Sequence, residues 1–265
     1  MSRQHATPFG ALLSVLLILL VGLATCGAAW AETFDDGRRA YREGDYATAA
    51  RIYRHLAERG NAPAQDALGR MYEKGEGVAQ DKAEAARWFQ MADAERSGFK
   101  AYNSSDFATA MRIFRPLAEH GQILAEYTIG LMYANGQGVP QDYAEALKWH
   151  RKAAEQGEPK AQFSVGVMYF KGLGTAKDPA EAFKWYLRAA NQGEPTAQYN
   201  VAAMYAKGEV VARDPLTALM FYTLAMVHNV KGAGPAKAQL EKSMSADQIA
   251  EALKRVYAWQ AKPEQ

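Results

Sequence analysis

The chain has 265 residues, of which 49% are hydrophobic and 23% are charged, and its formal net charge is +2. This composition is ordinary for a folded protein and excludes a disordered or low-complexity chain. Lysine and arginine are interleaved with aspartate and glutamate without a basic block, so the sequence carries no nucleic-acid-binding signature.

The first 31 residues have the pattern of a secretory signal peptide. Arg3 precedes an apolar stretch at residues 11–23, and the small residues Ala29 and Ala31 flank Trp30 just before Glu32. The pattern predicts cleavage after Ala31 and a periplasmic or secreted protein.

Two other locations remain open for the protein. Residues 4–31 contain no lysine, arginine, aspartate or glutamate, so the leader is nearly long enough to stay as an uncleaved membrane anchor. Residues 23–26 read Leu-Ala-Thr-Cys, which resembles a lipobox and would make the protein a lipoprotein anchored at Cys26. Cys26 is the single cysteine, so cleavage after Ala31 would leave a chain without disulfides or cysteine metal sites.

Most of the remaining sequence repeats itself. A shift of 61 residues aligns positions 40–92 with 101–153 without a gap, and 27 of these 53 positions are identical. A further shift of 36 residues carries Trp149 to Trp185 and Tyr133 to Tyr169. Periods of this size indicate a solenoid of stacked supersecondary units.

Residues 160–193 show what one unit contains. Apolar residues at helical spacing predict a first helix with one buried face, formed by Ala161, Val165, Met168 and Tyr169. Glycine inside a helix costs about 1 kcal/mol relative to alanine. Its recurrence at positions 69, 130 and 166 therefore predicts that a neighbouring helix approaches there too closely for a side chain.

Capping residues divide the unit into two helices. Gly172 suits the left-handed position that ends the first helix. Asp178 and Pro179 suit the N-cap and the first position of the second helix, and Glu181 predicts a capping-box-like pair with Asp178. The second helix is expected to bury a mixture of small and aromatic residues: Ala182, Trp185, Tyr186 and Ala189.

The string A-x-x-x-(L/V/I)-G-x-M-Y-x-x-G-x-G-V-x-x-D-x-x-E-A-x-x-W-x-x-x-A-A-x-x-G resembles the Sel1-like repeat, a member of the tetratricopeptide-like α-solenoids. Residues 64–92, 125–157 and 161–193 match it well. Residues 197–227 depart from it, with Ala202 for the internal glycine, Val210 for the second loop glycine and Phe221 for tryptophan. Residues 38–60 and 99–121 are similar to the parent tetratricopeptide pattern and are predicted to form extra hairpins between the Sel1-like units.

The resemblance implies an all-α, right-handed α-solenoid of Sel1-like and TPR-like hairpins over residues 32–230. Residues 231–265 are predicted to form C-terminal capping helices and a loose tail, because a solenoid needs a terminal helix with one polar face. Within this segment Ser245 and Gln248 form a predicted capping box. An apolar stripe follows at Ile249, Leu253, Val256 and Tyr257.

The histidines, the Asp–Glu pairs and the tryptophans, which could suggest catalysis or ligand binding, are each explained by a structural role. The histidines at positions 55, 120, 150 and 228 do not recur with the repeat, and His150 replaces Phe89 of an earlier unit, which predicts an aromatic packing role. The Asp–Glu pairs, such as Asp142 with Glu145, lie in the first turn of a predicted helix and are interpreted as caps. The tryptophans at 88, 149 and 185 are predicted to be core residues. We therefore predict a protein that is not an enzyme and has no metal or cofactor.

The variable positions of the first helices are the predicted partner-binding surface. One column contains Asp66, Tyr127, Phe163 and Tyr199, and Arg70, Leu131 and Val167 follow one turn later. A row of aromatic anchors at repeat spacing suits an extended peptide. The alternative is that these rings pack between adjacent units.

The resemblance also implies an adaptor role. We expect an exported, non-enzymatic scaffold that binds a protein or peptide partner in the bacterial envelope and contacts a membrane only through a retained leader or a lipidated Cys26. A glycan- or peptidoglycan-associated envelope factor is the alternative. A β-lactamase-like enzyme, an activity linked to cysteine-rich Sel1-like relatives, is a weaker alternative because this chain lacks the paired cysteines of those relatives.

Overall fold

The computed structural model describes residues 32–259. The predictions for the leader, for cleavage after Ala31, for Cys26 and for the tail from Lys262 lie outside the described residues. Within the described part, the chain forms helices joined by short loops and contains no strand. The predicted all-α architecture of repeated helical hairpins is confirmed.

The described chain groups into two compact units, Glu32–Ala189 and the chain from Ala190 onward. The helices of the first unit are α1 Phe34–Arg42, α2 Tyr46–Glu58, α3 Ala62–Lys74, α4 Lys82–Asn103, α5 Phe107–Glu119, α6 Ile123–Asn135, α7 Tyr143–Glu155, α8 Pro159–Lys171 and the start of α9 Pro179–Asn191. From α1 to α8, each helix packs against the next one in the chain.

The hairpins of the first unit bury the residues that the repeat predicts. Ala161, Val165 and Met168 of α8 are buried and Tyr169 packs at the edge of their cluster. Ala182, Trp185, Tyr186 and Ala189 of α9 are buried, and so are Trp88 and Trp149 in the equivalent places. The interpretation of the tryptophans as core residues is confirmed.

Local caps place the helix ends where the sequence predicts them. Gly172 ends α8 with a φ of 74°, a left-handed conformation that glycine adopts without strain. Asp178 begins α9, where its Oδ1 accepts the N–H groups of Ala180 and Glu181 at 3.0 and 2.9 Å. These bonds satisfy donors that the first turn of a helix leaves open.

The predicted capping-box pair of Asp178 with Glu181 forms only in part. The N–H of Asp178, which Glu181 would have to accept, donates instead to the Tyr169 carbonyl at 2.9 Å. The Glu181 carboxylate turns outward to Lys184, whose Nζ lies 2.8 Å away. The first helix of the hairpin therefore supplies the bond that a capping box would otherwise supply.

Helix α4 shows one difference from the simple hairpin pattern. It runs for 22 residues from Lys82 to Asn103 and joins the second helix of one hairpin to the first helix of the next. The other second helices of this unit end near a glycine with positive φ, such as Gly121 or Gly157. Gly98 is the single glycine within residues 92–98, and its backbone is helical. No left-handed residue therefore interrupts α4 there.

The second unit contains α10 Pro195–Lys207, α11 Pro215–Val227, α12 Ala233–Glu241 and α13 Ala246–Ala258. Helix α11 packs against α10, α12 and α13. The capping box of α13 is confirmed: Ser245 N–H donates to Gln248 Oε1 at 2.9 Å, and Gln248 N–H donates to Ser245 Oγ at 3.2 Å.

The buried face of α13 differs from the predicted apolar stripe at its end. Ala252 and Val256 are buried, whereas Tyr257 has 47% of its surface exposed. Tyr257 follows Val256 directly and therefore lies about 100° around the helix from it. No helix in the described range 32–259 combines the length and the apolar character that crossing a membrane requires.

Candidate functional site

The structure places the predicted partner-binding residues of the first unit on the first helices of three hairpins. Asp66 and Arg70 lie on α3, Tyr127 and Leu131 on α6, and Phe163 and Val167 on α8. Arg70 is exposed, and the other five are half-buried. Tyr199 lies on α10 in the second unit and is also half-buried.

Each aromatic ring of this column contacts a ring on the second helix of its own hairpin. The ring centroids of Tyr127 and His150 are 5.3 Å apart, and those of Phe163 and Tyr186 are 5.7 Å apart. In the second unit, the Tyr199 and Tyr222 centroids are 5.6 Å apart. These ring contacts therefore stabilise the hairpins. The exposed parts of the first-helix rings are still predicted to bind a partner.

The charged end of the column is occupied by an ion pair. Arg96 of α4 donates to Asp66 Oδ2 at 2.6 Å and to Asp93 Oδ1 at 2.5 Å. One guanidinium thus pairs with two carboxylates. Arg70, one turn along α3, is exposed to solvent.

The internal glycines lie directly against the second-helix rings, as the sequence predicts. A Cβ atom added to Gly69 would lie 2.8 Å from the Phe89 ring, and one added to Gly166 would lie 2.6 Å from the Tyr186 ring. His150 occupies the same place opposite Gly130, which confirms its predicted aromatic packing role. Burial lowers the pKa of the His150 imidazole to about 4.

A second feature, shared by two hairpins, is a pair formed by an acid and an amide; Gln65, Glu95 and Glu126 are buried, whereas Gln156 is exposed. The shift of 61 residues aligns Gln65 with Glu126 and Glu95 with Gln156, so the acid and the amide exchange places. In the later hairpin the two groups meet, because Gln156 Nε2 donates to Glu126 Oε2 at 2.7 Å. Burial raises the pKa of Glu126 to about 7, against the charge of Lys152 and the Gln156 hydrogen bond, which both lower it.

The equivalent pair in the earlier hairpin does not meet. Gln65 Nε2 donates to the Ala57 carbonyl at 3.0 Å and to Gln122 Oε1 at 3.1 Å. Glu95 has only 4% of its surface exposed, and its Oε2 atom has no hydrogen-bond partner. Burial raises the pKa of Glu95 to about 8, and the charge of Arg96 opposes this shift.

An open cleft lies beside Glu95. Its volume is about 410 Å³, and its walls come from the α2–α3 turn, from α4 and from the start of α6. Its lining includes one acid, Glu95, two bases, Arg96 and Lys100, and the apolar side chains of Phe99 and Leu124. A Cβ atom on Gly60 would lie 2.9 Å from Glu95 Oε1, so a side chain at position 60 would press against the carboxyl.

Sequence reasoning missed Glu95 and the cleft, although a signal was present. Glu95 continues the buried helical face of Ala85, Trp88 and Ala92, where an acid has no ordinary packing role. The spacing identifies the anomaly, but the neighbours Gly60 and Gln122 come from distant parts of the chain.

The aspartates of the Asp–Glu pairs act as helix caps in the structure, as predicted, whereas the glutamates pair with basic residues of the same helix. Asp142 Oδ1 accepts the N–H groups of Ala144 and Glu145 at 2.9 and 3.1 Å, and Glu145 pairs with Lys148 at 3.1 Å. Residues 32–259 contain no group of three or more His, Cys, Asp or Glu side chains that could hold a metal ion.

Comparison with solved structures finds chains that align with most of this one. A Sel1 repeat protein from Oxalobacter formigenes is 26% identical, with a TM-score of 0.53 over 85% of this chain and 99% of that one. The protective antigen c5321 of uropathogenic Escherichia coli, which displays an SLR fold, is 27% identical, with a TM-score of 0.38 over 85% of this chain and 60% of that one. No curated protein matches the chain.

The family model for the Sel1 repeat matches residues 62–92, 123–158, 159–194 and 195–225. These segments are the hairpins that begin with α3, α6, α8 and α10, and together they cover just over half of the chain. The protein therefore belongs to the Sel1 repeat family.

Proposed function

We propose that the protein is an exported, non-enzymatic scaffold that binds a protein or peptide partner in the bacterial envelope. The observation that carries the proposal is the run of four Sel1 repeats. Sel1 repeat proteins generally mediate protein–protein interactions and are typically non-enzymatic scaffolds. The signal-peptide pattern of residues 1–31 supports export.

The partner-binding surface that we propose in the first unit is the solvent-facing side of α3, α6 and α8. Arg70 is exposed there, and Leu131 and Val167 are half-buried on the same first-helix positions. A surface of helices that are held by ring packing and caps is rigid, so a partner loses little ordering entropy on binding.

Site-specific photo-crosslinking in living cells, followed by mass spectrometry, tests the proposal. A crosslinker at position 70 or 167 should capture a reproducible envelope protein. A crosslinker at the exposed Lys148 on the second helix α7 is the matched control and should not capture it. Capture of the same proteins from all three positions, or from none, would contradict the proposed surface.

The location has a separate test. N-terminal sequencing of the protein purified from its native host should begin at Glu32 if the leader is cleaved after Ala31. A blocked terminus at Cys26 would indicate the lipoprotein, and an intact leader would indicate the membrane anchor. Either of these results would replace the periplasmic or secreted location in the proposal.

A further inference from the structure

Glu95 lacks the hydrogen bond that its counterpart position makes. In the later hairpin, Gln156, which aligns with Glu95, donates to Glu126. In the earlier hairpin, Gln65, which aligns with Glu126, donates its amide N–H groups to Ala57 and Gln122 and not to Glu95. The Glu95 Oε2 atom is left buried without a partner. A buried polar group without a hydrogen bond is destabilising, and removing charge from water without a counter-charge is more so.

The charges around the cleft favour a positively charged ligand. Arg96 is the single cation whose charge lowers the pKa of Glu95, and this guanidinium is already shared by Asp66 and Asp93. Lys100 lines the cleft but is exposed to solvent. The side chains Asn61, Gln65 and Gln122, which come from other parts of the chain, are uncharged. Arg96 and Lys100 both line the cleft, but with Glu95 ionised the acids Glu95, Asp66 and Asp93 outnumber these two bases, so the five groups carry a net charge of −1.

The cleft walls suit the aliphatic stem of a basic side chain. Phe99 and Leu124 supply apolar surface, and the ring of Phe99 can also attract a cation. Long basic side chains place their methylene stems on apolar surface and their charged heads at polar groups. At about 410 Å³, the cleft has the size of a site for one small group.

We infer that this cleft binds a basic side chain of the partner polypeptide, with the lysine ammonium or arginine guanidinium paired to the Glu95 carboxylate. The inference rests on the proposed function, since it names the chemistry by which the partner is recognised. Binding would give the Glu95 carboxylate a charged donor at Oε1, the oxygen that faces Gly60. It would also release a proton at neutral pH, because the uncompensated carboxyl of the free protein is largely protonated there.

The direct test is an NMR titration of the whole protein with model compounds. Nα-acetyl-lysine N-methylamide and its arginine analogue should shift the backbone amides of Gly60 and Phe99 in a saturable way. The norleucine analogue tests the apolar walls alone, and the glutamate analogue tests attraction to Lys100. Equal shifts with norleucine, larger shifts with glutamate, or no saturable shift with either basic compound would each overturn the inference.

Two matched substitutions assign the effect to Glu95. Glu95→Gln should weaken binding of the lysine compound about tenfold or more, as expected for the loss of a charge-assisted hydrogen bond. Glu126→Gln changes a buried acid outside the cleft lining and should leave the binding unchanged. Circular dichroism checks that both variants are folded. An unchanged affinity in folded Glu95→Gln would refute the assignment.

Cellular crosslinking separates this inference from the proposed function. If the wild-type protein captures a partner and folded Glu95→Gln captures it equally well, the scaffold proposal stands and the cleft inference fails. If the lysine compound binds through Glu95 but position 70 and position 167 capture no partner, the cleft inference stands and the proposed surface fails.

Discussion

His150 fills the space that a side chain on Gly130 would need, since a Cβ atom added to Gly130 would lie 2.5 Å from His150 Nδ1. Gly69 stands in the same relation to Phe89, and Gly166 to Tyr186. The distance between the two helices of a hairpin is thus set by a ring that rests on a bare backbone. Small and large side chains facing each other allow such close packing.

Replacing Gly130 with alanine should destabilise the protein despite the higher helix propensity of alanine. Propensity alone favours alanine by about 1 kcal/mol. Overpacking against the buried imidazole costs about 1 to 3 kcal/mol, so we expect a net loss of about 1 kcal/mol. Urea unfolding followed by circular dichroism measures the change in the free energy of unfolding.

The double variant Gly130→Ala, His150→Ala provides the control for this prediction. Removing the ring should eliminate the clash, so alanine at position 130 should be neutral or stabilising in the His150→Ala background. A double-mutant cycle with no coupling between the two positions would show that the ring does not set the helix distance.

Replacing His150 with phenylalanine should make the protein less sensitive to acid. The pKa of His150 is about 4 in the folded protein and near 6.5 in the unfolded chain, so the unfolded chain binds this proton first. The stability that depends on a neutral His150 is therefore fully present above pH 6.5 and is lost as the pH falls towards 4. Relative to wild type, His150→Phe should gain about 3 kcal/mol between pH 7 and pH 4.

Phenylalanine is a suitable replacement because Phe89 fills the same position opposite Gly69. The measurement is chemical unfolding of both proteins at several pH values. Stability curves that run parallel from pH 7 to pH 4 would mean that the imidazole is protonated equally in both states.

Replacing Glu126 with glutamine should stabilise the protein in neutral and alkaline solution. The pKa of Glu126 is about 7 in the folded protein and near 4.5 in the unfolded chain. The stability that depends on a protonated Glu126 is therefore fully present below pH 4.5 and is lost as the pH rises through 7. Glu126→Gln should gain about 2 to 3 kcal/mol at pH 8 and little at pH 4.

The glutamine that this variant carries occurs naturally in the same column. Gln65, Gln162 and Gln198 each donate from Nε2 to the carbonyl eight residues earlier, at 3.0, 3.1 and 3.2 Å. Thermal unfolding at pH 4 and pH 8 tests the prediction. An equal gain at both pH values would assign the effect to packing and not to the charge.

The two glycines of one loop should differ in their tolerance of alanine. A Cβ atom on residue 172 would lie 3.3 Å from its nearest atom, Lys177 Cβ. Gly172→Ala should lower the free energy of unfolding by about 1 to 2 kcal/mol, because φ is 74°. Gly174→Ala would add a Cβ only 2.2 Å from the Tyr143 carbonyl oxygen, at a φ of 69°.

Since Tyr143 contributes a backbone atom that cannot rotate away, Gly174→Ala should cost at least about 3 kcal/mol. Chemical unfolding of the two variants beside wild type makes the comparison. Similar losses would indicate that the loop shifts away from α7 at little cost.

Local features were predictable from short stretches of sequence. The cap at Asp178, the left-handed Gly172 and the capping box at Ser245 each involve residues within a few positions of one another, so no distant partner affects them. The ring slot of His150 was predictable as well, because the repeat aligns it with Phe89.

Features that depend on distant contacts were predicted less well. Glu181 loses its capping-box role because the Tyr169 carbonyl, in the preceding helix, takes the Asp178 N–H. The exposure of Tyr257 depends on which face of α13 packs against α11. The column from Asp66 to Tyr199 was identified as variable, but its contacts with His150, Tyr186 and Tyr222 depend on the hairpin geometry.

The period of the repeat and its capping residues were sufficient to establish a helical-hairpin solenoid, because they recur at constant offsets and act over one or two turns. The cleft at Glu95 arises only when folding brings residues 60, 95 and 122 together. An acid on an apolar helix face becomes a candidate binding group when its neighbours both bury it and leave it without a hydrogen-bond donor, and those neighbours are supplied by tertiary packing.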